Sequence, residues 1–279
     1  MKASKSLLLY TSLFLMAVAI NLSVWAGIFS ISERQEIQIG KQAAIEVERS
    51  MPVLRDYEST HYLNESALKM IARSSRPNLN YRLRIIDTPE INAFALPGGF
   101  IYVNRGLLEA AETESEFLGV VAHEIAHVTQ KHGVEQAEKV QKAQLGLIGG
   151  NILLGALGVQ NRGSIMNGAQ LLTRGAFMKF SRDAEREADR TGAHMMHAAG
   201  LDPVGMVSFF DKLAKMSGNR GSSFFSSHPS PQERRSNISN LIASWSKEDL
   251  TVDTERFKQV RAHVKNLPKR QYRRSNRRR

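Results

Sequence analysis

"EFLGVVAHEIAHVTQKH" (residues 116–132) decides how this chain is read. Phe117, Val120, Val121, Ile125 and Val128 recur at helical spacing, which predicts a helix with an apolar stripe. Thr113 and Glu116 form a capping-box pair at its start, and Gly133 follows its end. On that helix His123 and His127 lie one turn apart on one face, so both imidazoles reach a single ion. Glu124, next to His123, can then touch a water at that ion. Zinc accepts two histidines and one carboxylate and leaves a fourth position for water, whose pKa falls to about 7.

A catalytic site of this kind needs a third protein ligand. One known solution puts glycine three and histidine six residues beyond the second ligand. Here those positions hold Gln130 and Gly133, and His132 stands one residue early. The alternative is a carboxylate on a second helix, and "EREAD" (185–189) offers Glu185 and Asp189 on one face at i, i+4. Glu185 can ligate while Asp189 accepts the far ring N–H of a ligand histidine. Glu187 points away from that face, and Glu187 and Asp183 are the fallback ligands. Acidic pairs beside arginines are also common on solvated helix faces, so spacing alone leaves both readings open.

The rest of the chain sets the context. Its 279 residues are ample for a buried core, and 42% hydrophobic with 23% charged residues favours neither wholesale disorder nor a polytopic membrane protein. There is no cysteine, so any metal must be held by His, Asp or Glu. Residues 1–26 run from Lys2 and Lys5 through an apolar stretch to Asn21, Ser23 and Ala26, the order of a secretory signal cleaved after Ala26. Leu7 to Ala26 is also about the length of an uncleaved anchor. Either way the expected location is outside the cytoplasm, in a periplasm, with membrane association if the anchor is kept.

Seven of the basic residues behind the net charge of +11 sit in "KRQYRRSNRRR" (269–279), which leaves +4 for the rest. Such a block repels itself, so residues 263–279 are expected to be a disordered basic tail. An anionic membrane surface is its expected partner, and export disfavours nucleic acid. The domain between is placed at 27–262.

Within it, residues 30–50 read as a helix opened by a Ser30–Glu33 capping box, and 61–73 as a second helix. Strands are expected at 81–86, 91–96 and 99–104, the last two as a hairpin around Pro97-Gly98. The apolar, glycine-rich stretch 145–159 is either a flap over the site or a buried segment. Helices are expected over "SRDAEREADRTGAHMMHAAG", ending near Gly200, after Asp202-Pro203, and over "PQERRSNISNLIASW". The fold class is α+β, mostly helical.

"HEIAH" followed 58 residues later by "EREAD", with "NAFALPGG" before and "HPSPQERR" after, resembles the zinc metallopeptidases that include HtpX, the CAAX prenyl protease, the mitochondrial OMA protease and BepA. The resemblance covers roughly residues 33–245 and is strongest to an exported BepA-like protease domain. BepA-type proteins carry tetratricopeptide repeats after that domain, where this chain has its basic tail. The resemblance implies a zincin-like (gluzincin) domain with a small sheet whose edge strand lies beside the active-site helix. It implies one zinc ion held by His123, His127 and Glu185, with Glu124 as general base and Asp189 supporting a ligand. It makes Asn92, Ala93, Phe94 and Ala95 the edge on which an unfolded or extended polypeptide pairs. His228 and Arg234 fall near the metal: His228 to fill the open position at rest or to stabilise the oxyanion, Arg234 to help with that charge. The expected activity is hydrolysis of peptide bonds in misfolded or misassembled envelope proteins. The contrasting reading is a chaperone or adaptor with a structural or latent zinc site.

Overall fold

The computed structural model describes residues 30–142, 180–216, 224, 228 and 231–269. The expected signal or anchor, the 145–159 stretch and the tail beyond Lys269 lie outside them. No helix among the described residues is long and apolar enough to cross a membrane.

Helix α1 (Glu33–Ser50) is followed by α2 (Tyr57–Ile71) and by strands β1 (Arg82–Ile86), β2 (Ala93–Leu96) and β3 (Phe100–Asn104). The sheet has the order β1-β3-β2, with β1 parallel and β2 antiparallel to β3. Side chains alternate across it. Leu83, Ile85, Ala93, Ile101 and Val103 face the main core, whereas Phe94, Leu96, Phe100 and Tyr102 face Ala43, Ala44 and Val47 of α1. The β2–β3 hairpin turns at Pro97–Gly99, where Gly98 has φ 76° and ψ 15°, the second central position of the type II turn that Pro97-Gly98 predicts.

Ser32, not Ser30, caps α1: its side chain accepts from the Gln35 N–H while Gln35 reaches back to the Ser32 N–H. Glu33 is drawn off to Arg76 at 2.9 Å. Arg76 also donates to buried Glu36 and to the Val128 carbonyl, and Glu36 accepts the Gly98 N–H. One buried carboxylate thus ties the hairpin turn to the neighbourhood of the histidine helix.

Gly40 of α1 packs against that turn, where an added Cβ would lie 1.8 Å from the Pro97 carbonyl oxygen. Alanine normally stabilises a helix interior by about 1 kcal/mol over glycine. Here the backbone clash decides the sign. Gly40→Ala is expected to lower unfolding free energy by about 2–3 kcal/mol, read from the denaturant midpoint.

Helix α3 (Arg105–Ala110) leads into α4 (Glu114–Thr129), capped by Thr113 as expected. Glu116 does not close a capping box. Its carboxylate takes the Glu112 N–H and the Lys212 ammonium instead. Every residue of α4 is buried, because α5 (Arg182–Ala198), α6 (Val204–Met216), α2 and the sheet surround it. Its sequence stripe marks only the most apolar side.

Among the described residues two further helices follow, α7 (Pro231–Ile242) and α8 (Glu255–Asn266). The sequence reading missed α3 and α8. Phe257, Val260 and Val264 of α8 are fully buried, and Arg105 binds the Val264 and Leu267 carbonyls, capping the helix. Packed structure therefore continues past residue 262, where the tail was expected to begin.

Candidate metal centre

Gly192 brings two helices together. It lies seven residues after Glu185 and three after Asp189, on the same face of α5, and a Cβ there would sit 3.2 Å from the Ala122 carbonyl carbon and the His123 backbone nitrogen. This close approach delivers both carboxylates to the α4 histidines.

His123 Nε2 lies 3.0 Å from His127 Nε2, 3.2 Å from His228 Nδ1 and 3.5 Å from Glu185 Oε2. Glu185 Oε1 lies 3.6 Å from His127 Nε2 and 2.9 Å from His228 Nδ1. All four residues are buried. A tetrahedron of ligands at 2.0–2.1 Å from zinc has edges of about 3.3 Å, so these donors fit one ion. The chemistry of the set agrees, because ring nitrogens this close repel unless a proton or a cation lies between them.

The charges around the cluster favour a cation. Burial raises the Glu185 carboxyl, but His228, His123 and Arg234 outweigh it and hold the group well below the usual range. Asp189, raised by burial, is likewise pulled below by Arg234 and His123. Burial and the neighbouring His123 push His127 well below its ordinary value. For His123, burial and Arg234 act downward, but hydrogen bonds to Asp189 and Glu185 prevail and lift it to about 9. The ion-free cluster therefore keeps a proton on His123, and a metal must displace it. Zinc uptake at pH 7.5 is expected to release about one proton, with release fading and affinity levelling off above pH 9. Binding heats in buffers of different ionisation enthalpy check this.

Around the donors, His123 Nδ1 lies 2.9 Å from Asp189 Oδ1. Arg234 grips Asp189 with two hydrogen bonds of 2.6 and 2.7 Å and forms a 2.8 Å ion pair with Glu185 Oε2. That ion pair falls short of hydrogen-bond angles, and Arg234 Nη1 and Glu185 Oε2 make no other hydrogen bond among the described residues. The guanidinium also stacks over Phe210 at 4.3 Å. Glu124 is fully buried, neither of its oxygens has a hydrogen-bond partner among the described residues, and burial raises its carboxyl. His228 Nε2 approaches it to 3.4 Å.

The structure brings together His123, Glu124 and His127 of α4, Glu185 and Asp189 of α5 and Arg234 of α7, together with His228, and leaves the fallback ligands Glu187 and Asp183 outside the cluster. The candidate substrate edge is adjacent: Ala95, Leu96, Pro97, His127 and Phe180 line one small cleft. No described strand pairs with the outer side of β2. Of the four candidate residues, Ala93 and Ala95 pair with β3, Phe94 stacks on Tyr102 at 5.2 Å, and Asn92 accepts the Asn104 N–H through its carbonyl. Two neighbours escaped the sequence reading. Phe180 stacks on His127 at 4.0 Å, and buried His132 lies 2.9 Å from His127 through the Nδ1 atoms. His132 had been visible only as a histidine in the wrong register for another ligand pattern.

Comparison with known proteins agrees with this geometry. Residues 58–242 match the family described as Peptidase family M48. The β-barrel assembly-enhancing protease of Escherichia coli K12 is 31% identical over 216 residues, 76% of this chain and 44% of that protein. The mitochondrial metalloendopeptidase OMA1 of Schizosaccharomyces pombe is 32% identical over 64% of this chain and 51% of its own length. Metalloprotease LoiP of E. coli K12 is 27% identical over 77% and 84%. The chain thus spans less than half of the β-barrel assembly-enhancing protease it matches. Extent of match and relatives agree that the chain belongs to peptidase family M48.

Proposed function

We propose that the protein is an exported zinc endopeptidase acting on extended segments of misfolded or misassembled envelope proteins. The observation that carries this reading is Glu124: a fully buried carboxylate, without a hydrogen-bond partner among the described residues, beside a four-donor cluster. A purely structural zinc site has no use for such a group.

In this reading His123, His127 and Glu185 hold the ion. Zinc bound there supplies Lewis acidity, polarising the scissile carbonyl and acidifying water. Glu124 takes the proton of the attacking water and passes it to the leaving amine, and its raised carboxyl suits a group that must carry that proton in between. Asp189 orients His123. Arg234 holds Glu185 and Asp189 in place; with its guanidinium engaged by both, it is read as positioning the ligand set rather than as receiving oxyanion charge. His228 is the fourth donor of the cluster and would have to withdraw from a bound ion for substrate to reach it. The outer side of β2 pairs with the substrate backbone, and its Ala95 and Leu96 line the cleft beside His127.

Support for an envelope setting comes from the leader pattern of residues 1–26 and from the relative named for β-barrel assembly. The basic tail is read as a contact with anionic membrane.

A second reading has one observation in its favour. With His228 in place the donor set is closed, as in structural zinc sites, which suits a chaperone or adaptor. Digestion of an unfolded protein by the purified chain separates the two. Cleavage that stops with chelator and returns with zinc supports the peptidase, whereas none under any metal condition leaves the adaptor.

A further inference from the structure

His132 has a place in the fold that its local backbone does not favour by itself. After α4 ends, Lys131 adopts φ 60°, a left-handed conformation uncommon for residues other than glycine, and helical structure resumes at 132. That reversal turns the His132 ring back beneath His127. The two rings meet edge to face, with centroids 4.9 Å apart and Nδ1 atoms 2.9 Å apart. His132 is only 3% exposed. Its other nitrogen, Nε2, lies 3.4 Å from Glu187 Oε2 on α5.

The hydrogens follow by elimination, on the reading that His127 is a metal ligand. His127 Nε2 faces the donor cluster, so its lone pair must be free and its proton must sit on Nδ1. The 2.9 Å contact is then a hydrogen bond only if His132 Nδ1 accepts, which puts the His132 proton on Nε2, facing the Glu187 carboxylate. Glu187 does point away from the cluster, as its helix position predicts, yet it reaches the site through this ring.

We propose that His132 is a positioning residue, which accepts the His127 Nδ1–H, donates its Nε2–H to Glu187, and so locks His127 in the metal-binding tautomer. Each α4 histidine is then tied by its far nitrogen to a carboxylate of α5: His123 directly to Asp189, His127 to Glu187 through an imidazole. Partners of this kind typically change metal affinity by about 10–100-fold.

The test is zinc affinity, measured by competition with a chromophoric chelator, alongside the thermal midpoint of the metal-free protein. His132→Leu removes the acceptor and is expected to weaken zinc binding about 10–100-fold. His132→Asn restores an oxygen at the Nδ1 position and is expected to recover most of the loss. Glu187→Gln should weaken binding in the same direction but less. The visible spectrum of the cobalt-substituted protein should shift for His132→Leu and return for His132→Asn. Zinc affinity of His132→Leu within twofold of the parent overturns the proposal, as does an Asn variant no better than Leu. If His132→Leu does not fold, His132→Asn against His132→Gln decides, because only Asn places an acceptor at Nδ1, and equal affinities overturn the proposal. A parent chain that fails to bind zinc would remove the metal reading itself, an outcome distinct from normal binding by both parent and Leu variant.

Discussion

Glu124→Gln is expected to lower hydrolysis of an unfolded protein by about 10²–10⁴-fold while zinc content stays at the parent level. Glutamine has nearly the same shape but cannot take or return a proton. The residue is fully buried with no hydrogen-bond partner among the described residues, and its ion-pair neighbour, His228 at 3.4 Å, can approach the glutamine carbonyl as it does the carboxylate. Removing a buried carboxylate whose desolvation outweighs the nearby His228 also relieves that penalty, so the metal-free variant should unfold at the same temperature as the parent or higher. The loss of activity then cannot be ascribed to misfolding. Cleavage rates, metal analysis and a thermal scan on one preparation check all three parts. Undiminished cleavage would take Glu124 out of the proton-transfer role.

The largest effect on stability is expected at Arg234. Its guanidinium is 3% exposed and faces Asp189 and Glu185. Arg234→Ala leaves Asp189 in a dry interior without its principal counter-charge and takes from Glu185 one of its several cationic neighbours, a defect of about 3–5 kcal/mol. For a chain of this size that is a fall of about 10 °C in thermal midpoint. Lysine should rescue only part of it, because an ammonium cannot bridge both oxygens of Asp189 as the planar fork does. Zinc should narrow the gap between variant and parent, since the ion supplies positive charge to the same carboxylates. A midpoint within 2 °C of the parent would mean that the fold tolerates the pair without its arginine.

Much of this site was legible because its signals are local. The α4 stripe lies within a single helix, the i, i+4 histidines and the Glu185–Asp189 face within five residues each, and helical periodicity turns such spacing directly into direction. The hairpin was legible for the same reason, through Pro97-Gly98. What failed to show was set by distant partners. Ser30–Glu33 and Ser32–Gln35 are equally good capping patterns in sequence, and Arg76, forty-three residues from Glu33, breaks the tie by engaging that carboxylate. Helix α8 hid behind its charges; only three apolar positions and the cap from Arg105, far upstream, mark it. His132 and Glu187 were individually visible, but each is meaningful only once Lys131 reverses the chain.

Glu185, Glu187, Asp189 and Gly192 occupy barely two turns of α5. Inserting a single residue just upstream of Glu185 would leave them aligned with one another but rotate the whole group by about 100° relative to what precedes it. The helix resembles a key whose main teeth, Glu185, Asp189 and Gly192, are cut on one edge, with Glu187 beside them. Damage to its seating does not remove contacts one by one but withdraws ligand, orienting carboxylates and close contact in one motion, so partial versions of this centre have little room to exist.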